Sequence, residues 1–191
     1  MPKTLNTSYD NLVEKAQSIF WQNGYKSVSP NELAKGLGVS PSTIYNKFGK
    51  ERLFIDGLQA YVSSFTDPAL DIFLNSTEGL ATFKKAFYPV IDALYDGFFP
   101  RNCLMVNTVV ELRNEVDEVN DVYTSYFPNL RKGYVAVLER AYKQGEIKSR
   151  ANIPDYVELM MGTIFAISAM SKVKTREDLK KYFDAQISFF K

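Results

Sequence analysis

The stretch that decides the fold is residues 29–49, which read SPNELAKGLGVSPSTIYNKFG. Its first four residues, Ser29–Glu32, have the pattern of a capping box with proline at the first helical position, which predicts the start of a helix. Gly38 is expected to end this helix, and the pair Ser40-Pro41 repeats the same start signal. Two short capped helices joined by a glycine-containing turn predict a helix-turn-helix.

The rest of the chain also reads as helix. Residues 9–21 place apolar side chains on one stripe, and Gly24 provides the stop. Further helices are expected over 51–65, 77–95, 103–112, 117–144, 152–171 and 175–190, with a short helical turn or linker at 69–74. No alternating strand pattern competes with them. The expected fold class is all-α with about nine helices, three of them in an N-terminal helix-turn-helix domain.

Composition limits the classes of function. The 191 residues carry a net charge of +1, yet the first 52 hold seven Lys/Arg against four Asp/Glu, a mild basic excess that suits a polyanion. There is no histidine, which removes Ser-His-Asp and Cys-His nucleophiles and His-ligated zinc. No residue spacing supports a Tyr, Lys or carboxylate enzyme. We therefore expect no enzyme activity, no metal and no cofactor.

The expected location follows from cysteine usage and hydropathy. A single cysteine, Cys103, has no partner for an internal disulfide, which fits a reducing cytoplasm. No apolar run reaches about 18 residues without a charged or polar break, so no membrane span is expected. The N-terminal residues 1–6 lack the apolar stretch of a secretory signal. The sequence predicts a cytoplasmic protein.

Residues 12–54 resemble the DNA-binding domain of the TetR family. The matching letters are A-x-x-x-F ending at Phe20, G-Y at Gly24, E-L-A from Glu32, L-G-V-S from Leu37, and T-I-Y-x-x-F-G from Thr43. A weaker match, at 102–112, resembles the ligand-binding half of one subgroup of that family. The resemblance implies a DNA-binding domain over 1–52 and an effector-binding and dimerisation domain over 53–191.

The segment from Ser40 to Lys47 is then the candidate recognition helix for a major groove. Asparagine can read adenine, lysine can read guanine or phosphate, and threonine can pack on a thymine methyl. The resemblance implies that Tyr45 contacts the DNA backbone. It leaves Lys50 as a candidate for a phosphate contact. The candidate DNA-binding residues are Ser29, Ser40, Ser42, Thr43, Tyr45, Asn46, Lys47 and Lys50. Phosphate contacts are also expected from Thr7, Ser27 and Val28, with Lys26 as a weaker candidate.

One departure from the family pattern concerns the fourth helix. Relatives usually have two residues between the phenylalanine and a Lys-Glu pair, and here Phe48 and Lys50 are separated by Gly49 alone. The usual Ser or Asp cap is missing. This departure leaves open a rival interpretation, in which the protein is an all-helical small-molecule binding protein or sensor that no longer binds DNA.

The resemblance also implies an effector cavity lined by the aromatic-rich middle of the chain. Tyrosine hydroxyls can orient a small molecule in an apolar cavity, although helical spacing favours the core for any single ring. The expected ligand-binding residues are Phe83, Phe87, Asn107, Glu111, Tyr123, Tyr126 and Phe127. Cys103, beside Arg101 at a helix start, is either a sensor of electrophiles or a small buried apolar residue.

The last two helices carry more apolar surface than one face each can bury. The expected partner is a second copy of the chain, paired through residues 154–190 with Phe165, Phe183 and Ile187 as interface candidates. A two-fold dimer would place two recognition helices on a pseudo-palindromic operator of double-stranded DNA. The sequence therefore predicts a transcriptional regulator, most simply a repressor released by a small molecule of unknown identity.

Overall fold

The computed structural model describes residues 8–97, 99–112 and 115–191. These residues form helices and connecting loops. The helices in chain order are α1 (Tyr9–Asn23), α2 (Pro30–Leu37), α3 (Pro41–Thr43), α4 (Lys50–Tyr61), α5 (Asp67–Asn75), α6 (Ala81–Tyr95), α7 (Leu104–Leu112), α8 (Asp117–Lys143), α9 (Ile153–Met170) and α10 (Arg176–Phe189). Nine of these have eight or more residues, which confirms the all-α prediction for the described part of the chain.

The N-terminal helices begin and end at the predicted signals. The Ser29 hydroxyl accepts from the backbone N–H of Glu32, whose carboxylate accepts from the N–H of Ser29, so the capping box is present. Gly24 and Gly38 end α1 and α2 at positive φ angles of 80° and 70°. Both conformations favour glycine because they lie in the left-handed region.

The three-helix core is closed by α4. Leu12, Ala16 and Phe20 of α1 are buried, and Leu53 of α4 is buried with them. The ring of Phe54 meets that of Phe20 edge-on at 5.1 Å. Helix α4 spans the predicted domain boundary at residue 52 and also packs against α1. The division at that residue stays a prediction.

The helical path after α4 differs from the expectation. We expected one helix to stop before Thr66 and only a short turn to follow. Instead, α4 ends at Tyr61, a wide π-type turn covers Val62–Thr66, and α5 starts directly at Asp67. Pro68 lies in the first turn of α5, where a missing N–H costs nothing. The proline therefore starts a helix here.

The C-terminal half is organised around an aromatic core. Tyr134 of α8 is buried, and its ring lies 5.1–5.6 Å from the rings of Phe73 and Phe83, edge-on to each. Phe183 of α10 stacks on Phe87 of α6 at 4.9 Å. Since these rings come from α5, α6, α8 and α10, the core ties the four helices together. Three of these rings, Phe73, Phe87 and Tyr134, also line a cavity.

Two of the expected dimer residues are instead monomer core. Phe183 is 0% exposed and Ile187 is 3% exposed within one chain, so neither is available to a second copy. Only Phe165 of the three is half-buried, and its ring stacks on Phe127 at 5.8 Å. The periodicity identified the apolar helices correctly and misassigned their inner and outer faces, because both faces of α9 and α10 carry apolar side chains.

The outer face of α9 and α10 is defined here by eight apolar or small side chains that the rest of the chain leaves exposed or half-buried. Its members are Leu159, Gly162, Phe165, Ala166 and Ala169 on α9, and Tyr182, Ala185 and Phe189 on α10. Phe189 is 69% exposed. Such a surface is typical of an interaction site.

Helix α9 bears on the expectation that the chain has no membrane span. In the part of the chain that the structure describes, the segment Arg150–Met170 is long and apolar enough, by length and composition alone, to cross a membrane. One such helix is weak support for a membrane span, since core helices pass the same test. Arg150, Asp155 and Glu158 interrupt its apolar sequence.

Candidate functional site

The recognition segment comprises Ser40–Phe48. Ser40 is the N-cap of α3, and its hydroxyl accepts from the backbone N–H of Thr43 at 3.2 Å. After three α-helical residues the segment continues as a π-type turn over Ile44–Phe48. Ile44 is buried and its π-type turn contacts α2, whereas Tyr45 is 64% exposed. Ser42, Asn46 and Lys47 are exposed beside it, and Thr43 is half-buried.

Four of the five predicted phosphate-contact residues that precede α3 lie in the described part of the chain, and their surroundings differ. The Ser29 side chain is engaged in the capping box, and these hydrogen bonds lower the pKa of Glu32. Val28 is buried and Ser27 is exposed. Lys26 pairs with Glu115 at 2.8 Å. Thr7 lies outside the described residues.

Lys50 opens α4, and the expected absence of a side-chain cap there is confirmed: Gly49 occupies the cap position. The Lys50 ammonium lies 4.0 Å from the centre of the Tyr25 ring. Burial lowers the pKa of Lys50, while Glu111 and Glu32 act in the opposite direction. Because this cation–π contact occupies Lys50, a phosphate contact would require its side chain to leave the ring.

A cavity of about 330 Å³ lies where the N-terminal helices α1 and α4 meet α5, α6, α8 and α9. This volume is within the range of small-molecule sites. The described residues that line it are Trp21, Tyr61, Phe65, Thr66, Ala69, Phe73, Ala86, Phe87, Pro89, Val90, Ala93, Leu94, Phe99, Asn102, Cys103, Tyr126, Leu130, Tyr134, Ile164, Ile167 and Ser168. The lining is mostly apolar and aromatic.

The structure places only part of the predicted ligand set at this cavity. Phe87 and Tyr126 line it, together with Cys103. Five predicted residues are not among the lining: Phe83, Asn107, Glu111, Tyr123 and Phe127. Phe83 is buried in the aromatic core, and the Phe127 ring packs against those of Tyr123, Tyr126 and Phe165. Helical spacing identified apolar faces without telling core from cavity.

Sequence reasoning missed Trp21 and Asn102. Trp21 follows Phe20 in the stretch that resembles a DNA-binding domain, and it was not assigned to any ligand site. Its indole N–H donates to the backbone carbonyl of Asn102 at 3.1 Å, across 81 residues. The backbone N–H of Cys103 donates to Ser168 of α9 at 3.0 Å. The segment 101–103 is therefore attached to both α1 and α9.

The cavity carries polar groups that stay uncharged. The Tyr61 hydroxyl donates to the Cys103 sulfur at 3.4 Å, and the Tyr126 hydroxyl lies 4.0 Å from the same sulfur. Burial is the main cause that raises the pKa of Tyr61 and of Tyr126 far above the ordinary value, and the neighbouring Cys103 raises it further. Burial likewise raises the pKa of Tyr134. All three hydroxyls are therefore protonated at neutral pH.

The surroundings of Cys103 bear on its suggested sensor role, which stays a prediction. Its side chain is half-buried at the cavity, and the Arg101 guanidinium lies over the Tyr95 ring at 4.7 Å. The sensor interpretation predicts that N-ethylmaleimide releases DNA from the parent protein and leaves DNA bound to Cys103→Ser. Gel retention, with mass spectrometry to count adducts, measures both. Equal release, or no release, would make Cys103 a structural residue.

A junction between the two halves of the protein is formed by Glu111. Its carboxylate accepts from the backbone N–H groups of Tyr25 and Lys26 at 2.9 and 2.5 Å. A Cβ at Gly24 would lie 3.0 Å from this carboxylate, so glycine allows the close approach as well as the positive φ. Glu111 was expected in the ligand site and instead fixes the loop between α1 and α2.

Removing the Glu111 carboxylate should destabilise the protein. We expect Glu111→Ala to lower the free energy of unfolding by about 1–3 kcal/mol, because two hydrogen bonds to a charged acceptor are removed. Glu115→Ala is the matched control: its ion pair with Lys26 is exposed, and such pairs contribute about 1 kcal/mol or less. Urea unfolding followed by circular dichroism compares the two. Equal losses would contradict the junction.

Two family models match this chain. Residues 12–56 match the model described as bacterial regulatory proteins, tetR family. Residues 79–186 match the model of the Tetracyclin repressor-like C-terminal domain. The first match contains the recognition segment, and the second contains most of the cavity-lining residues of the C-terminal half.

Individual proteins show the same similarity. The chain is 22% identical over 165 residues to the HTH-type transcriptional repressor ComR of Escherichia coli (strain K12), covering 85% of this chain and 79% of ComR. It is 20% identical over 180 residues to the uncharacterized HTH-type transcriptional regulator YezE of Bacillus subtilis (strain 168), covering 93% of each.

Solved structures share the fold. One is a cysteine mutant of the TetR family transcriptional regulator CifR complexed with 26-base-pair double-strand operator DNA: the TM-score is 0.85 at 17% identity, over 99% of this chain and 100% of that one. Another is the TetR family transcriptional regulator PfmR from Thermus thermophilus, with a TM-score of 0.71 at 17% identity, over 96% and 97% of the two chains. At such identities the likeness shows the fold alone.

Proposed function

The chain belongs to the TetR family of bacterial regulatory proteins, and from this membership we propose that it is a DNA-binding transcriptional repressor that a small molecule releases from its operator. The observation that carries the proposal is the recognition segment. Ile44 is buried in a turn that contacts α2, while the next three side chains, Tyr45, Asn46 and Lys47, are exposed. Exposed polar side chains on a rigid helical segment are what readout of a major groove requires.

The proposed division of labour on DNA follows from these side chains. Asn46 and Lys47 would contact base edges or phosphates, with Ser42 and Thr43 beside them and Tyr45 on the backbone. Ser40 supports them through its cap and its 2.8 Å contacts with the hydroxyls of Ser42 and Thr43. Contacts from Ser29 and Lys50 are proposed as secondary, because both side chains are engaged within the protein.

We further propose a homodimer built on the outer face of α9 and α10. Gly162 lies in the middle of α9, and a Cβ added there would meet no described atom within 4 Å. Glycine inside a helix costs about 1 kcal/mol relative to alanine, and nothing in the described part of the chain uses it. Close approach of a partner helix would explain its presence. A two-fold pair would match a pseudo-palindromic operator.

Ligand binding would act by favouring one of two states. A ligand shifts the equilibrium only through its different affinity for the DNA-binding and the released geometry. The cavity is suited to this because Trp21 of α1 and Ile164 of α9 both line it. An occupant would therefore contact the DNA-binding domain and the proposed dimer helix together. With DNA as its target, the proposed repressor would act in the cytoplasm.

The rival function is a helical small-molecule binding protein without DNA affinity, which the missing side-chain cap at Gly49 favours. Gel retention on the DNA upstream of the protein's own gene, across a salt series, separates the two. The proposed repressor retains this DNA and loses affinity steeply as salt rises, because phosphate contacts release counterions. A protein that retains no DNA at low salt would contradict the repressor and support the rival.

A further inference from the structure

The cavity has a chemical character that restricts its ligand. Its described walls contain the rings of Trp21, Phe65, Phe87 and Phe99, with small and aliphatic residues between them. The Trp21 ring stacks on Phe99 at 5.3 Å and meets Phe65 edge-on at 5.4 Å. Rings packed against each other in this way offer apolar surface to a guest.

Charge is missing from the described lining. The described residues that line the cavity include no Asp, Glu, Lys or Arg, and the tyrosine hydroxyls are held protonated. A carboxylate or an ammonium group entering this space would lose its hydration without gaining a counter-charge, which costs several kcal/mol. The cavity is therefore matched to an uncharged molecule.

One polar group in the lining lacks a partner. Asn102 is 8% exposed, and its side-chain oxygen is buried without a hydrogen-bond partner among the described residues. Buried polar groups are normally paired, since an unmade hydrogen bond costs about 1–3 kcal/mol. Because the oxygen itself is covered, a small shift of the Asn102 side chain would let a ligand donate a hydrogen bond to it and recover that cost.

The position of Asn102 connects this contact to the rest of the protein. Its backbone carbonyl accepts from Trp21 of α1, and the neighbouring Cys103 N–H donates to Ser168 of α9. The carbonyl of Arg101 accepts from Ser171 at 2.8 Å. A ligand bound at Asn102 would therefore lie where the DNA-binding domain and the proposed dimer helix are joined.

We propose that the effector is an uncharged, mostly apolar molecule that donates one hydrogen bond to the Asn102 side-chain oxygen. This inference rests on the proposed function, because it names the ligand class of the same cavity. Hydroxyl or amide N–H groups on an apolar skeleton satisfy both requirements. Fatty acids and alkylammonium ions fail the charge requirement.

Four probes of equal carbon count test the ligand class: n-octanol as donor, methyl heptanoate as acceptor only, octanoate as anion and octylammonium as cation. Trp21 is the only tryptophan and lines the cavity, so its fluorescence reports binding directly. We expect n-octanol to bind roughly fivefold more tightly than methyl heptanoate, the ratio that one net hydrogen bond supports. We expect both ions to bind at least about tenfold more weakly than n-octanol.

Asn102→Leu tests the anchor. Removing an unpartnered acceptor should leave the protein folded and at least as stable, and should abolish the preference for n-octanol over methyl heptanoate. Thr66→Val, which removes a hydroxyl from another buried residue of the lining, should retain that preference.

The outcomes separate this inference from the proposed function. Tighter binding of octanoate or octylammonium, or an unchanged preference in Asn102→Leu, would overturn the ligand class while DNA retention by the ligand-free protein still supports the repressor. Failure of all four probes to change Trp21 fluorescence would also overturn it. Failure of the ligand-free protein to retain DNA would overturn the proposed function alone.

Discussion

Gly162→Glu is expected to convert the protein into a monomer and to lower its operator affinity by roughly 10²–10⁴-fold. The change places a charge in the middle of the outer face of α9, where a close partner helix would leave no room and no counter-charge. The monomer keeps its own fold, because nothing in the described chain lies within 4 Å of the added Cβ. The loss is large because each half-site alone lacks the gain in effective concentration that dimerisation provides.

Sedimentation and gel retention measure the two effects of this substitution. Ala151→Glu is the control, since Ala151 is exposed in the short turn before α9 and lies off the outer face. Gly162→Ala adds a second test, because its effect on stability has opposite directions in the two cases. In a monomer it would stabilise an exposed helix by about 1 kcal/mol. Against a partner helix the added methyl group would weaken the dimer. A parent protein that sediments as a monomer at micromolar concentration would refute the two-half-site account.

Substitutions in the recognition segment are expected to have the next largest effect. Lys47→Ala should weaken operator binding and reduce the slope of log affinity against log salt by about one unit for each phosphate that the lysine neutralised. Asn46→Ala should cost about 1–3 kcal/mol and relax the base preference at one position of each half-site. Both side chains are exposed, so their removal should leave stability nearly unchanged.

Binding titrations on the operator and on single-base variants distinguish the two roles. Lys35→Ala serves as the control, because Lys35 is an exposed lysine of α2 outside the recognition segment. If the Asn46 and Lys47 variants both footprint like the parent protein, the recognition segment is assigned to the wrong residues. If Lys35→Ala loses as much affinity as Lys47→Ala, only the overall charge matters.

The parts of the fold that the sequence predicted depend on local interactions. The predicted capping box at Ser29 joins residues three apart and is present. The recognition segment was also predictable, because the buried Ile44 and the exposed Asn46 and Lys47 follow helical spacing. The start of α5 was missed between the helix expected over 51–65 and the turn or linker expected at 69–74. A proline such as Pro68 gives the same local pattern whether one helix ends there or the next begins.

The cavity and the junction depend on contacts between distant residues. Trp21 meets Asn102 across 81 residues, and Glu111 reaches the N–H of Tyr25 across 86. Helical spacing shows which side chains share a face and does not show which helix that face meets. Phe183 and Ile187 were assigned to a dimer for the same reason: a partner helix in another chain and a partner helix in the same chain demand identical periodicity.

A footprint of the ligand-free protein on the DNA upstream of its own gene tests the central claim most directly. The proposed repressor should protect two half-sites with two-fold symmetry, their centres about one helical turn of DNA apart. The protection should disappear in Gly162→Glu and weaken in Lys47→Ala. Absence of protection at low salt, or protection of one unpaired site by a monomer, would contradict the account.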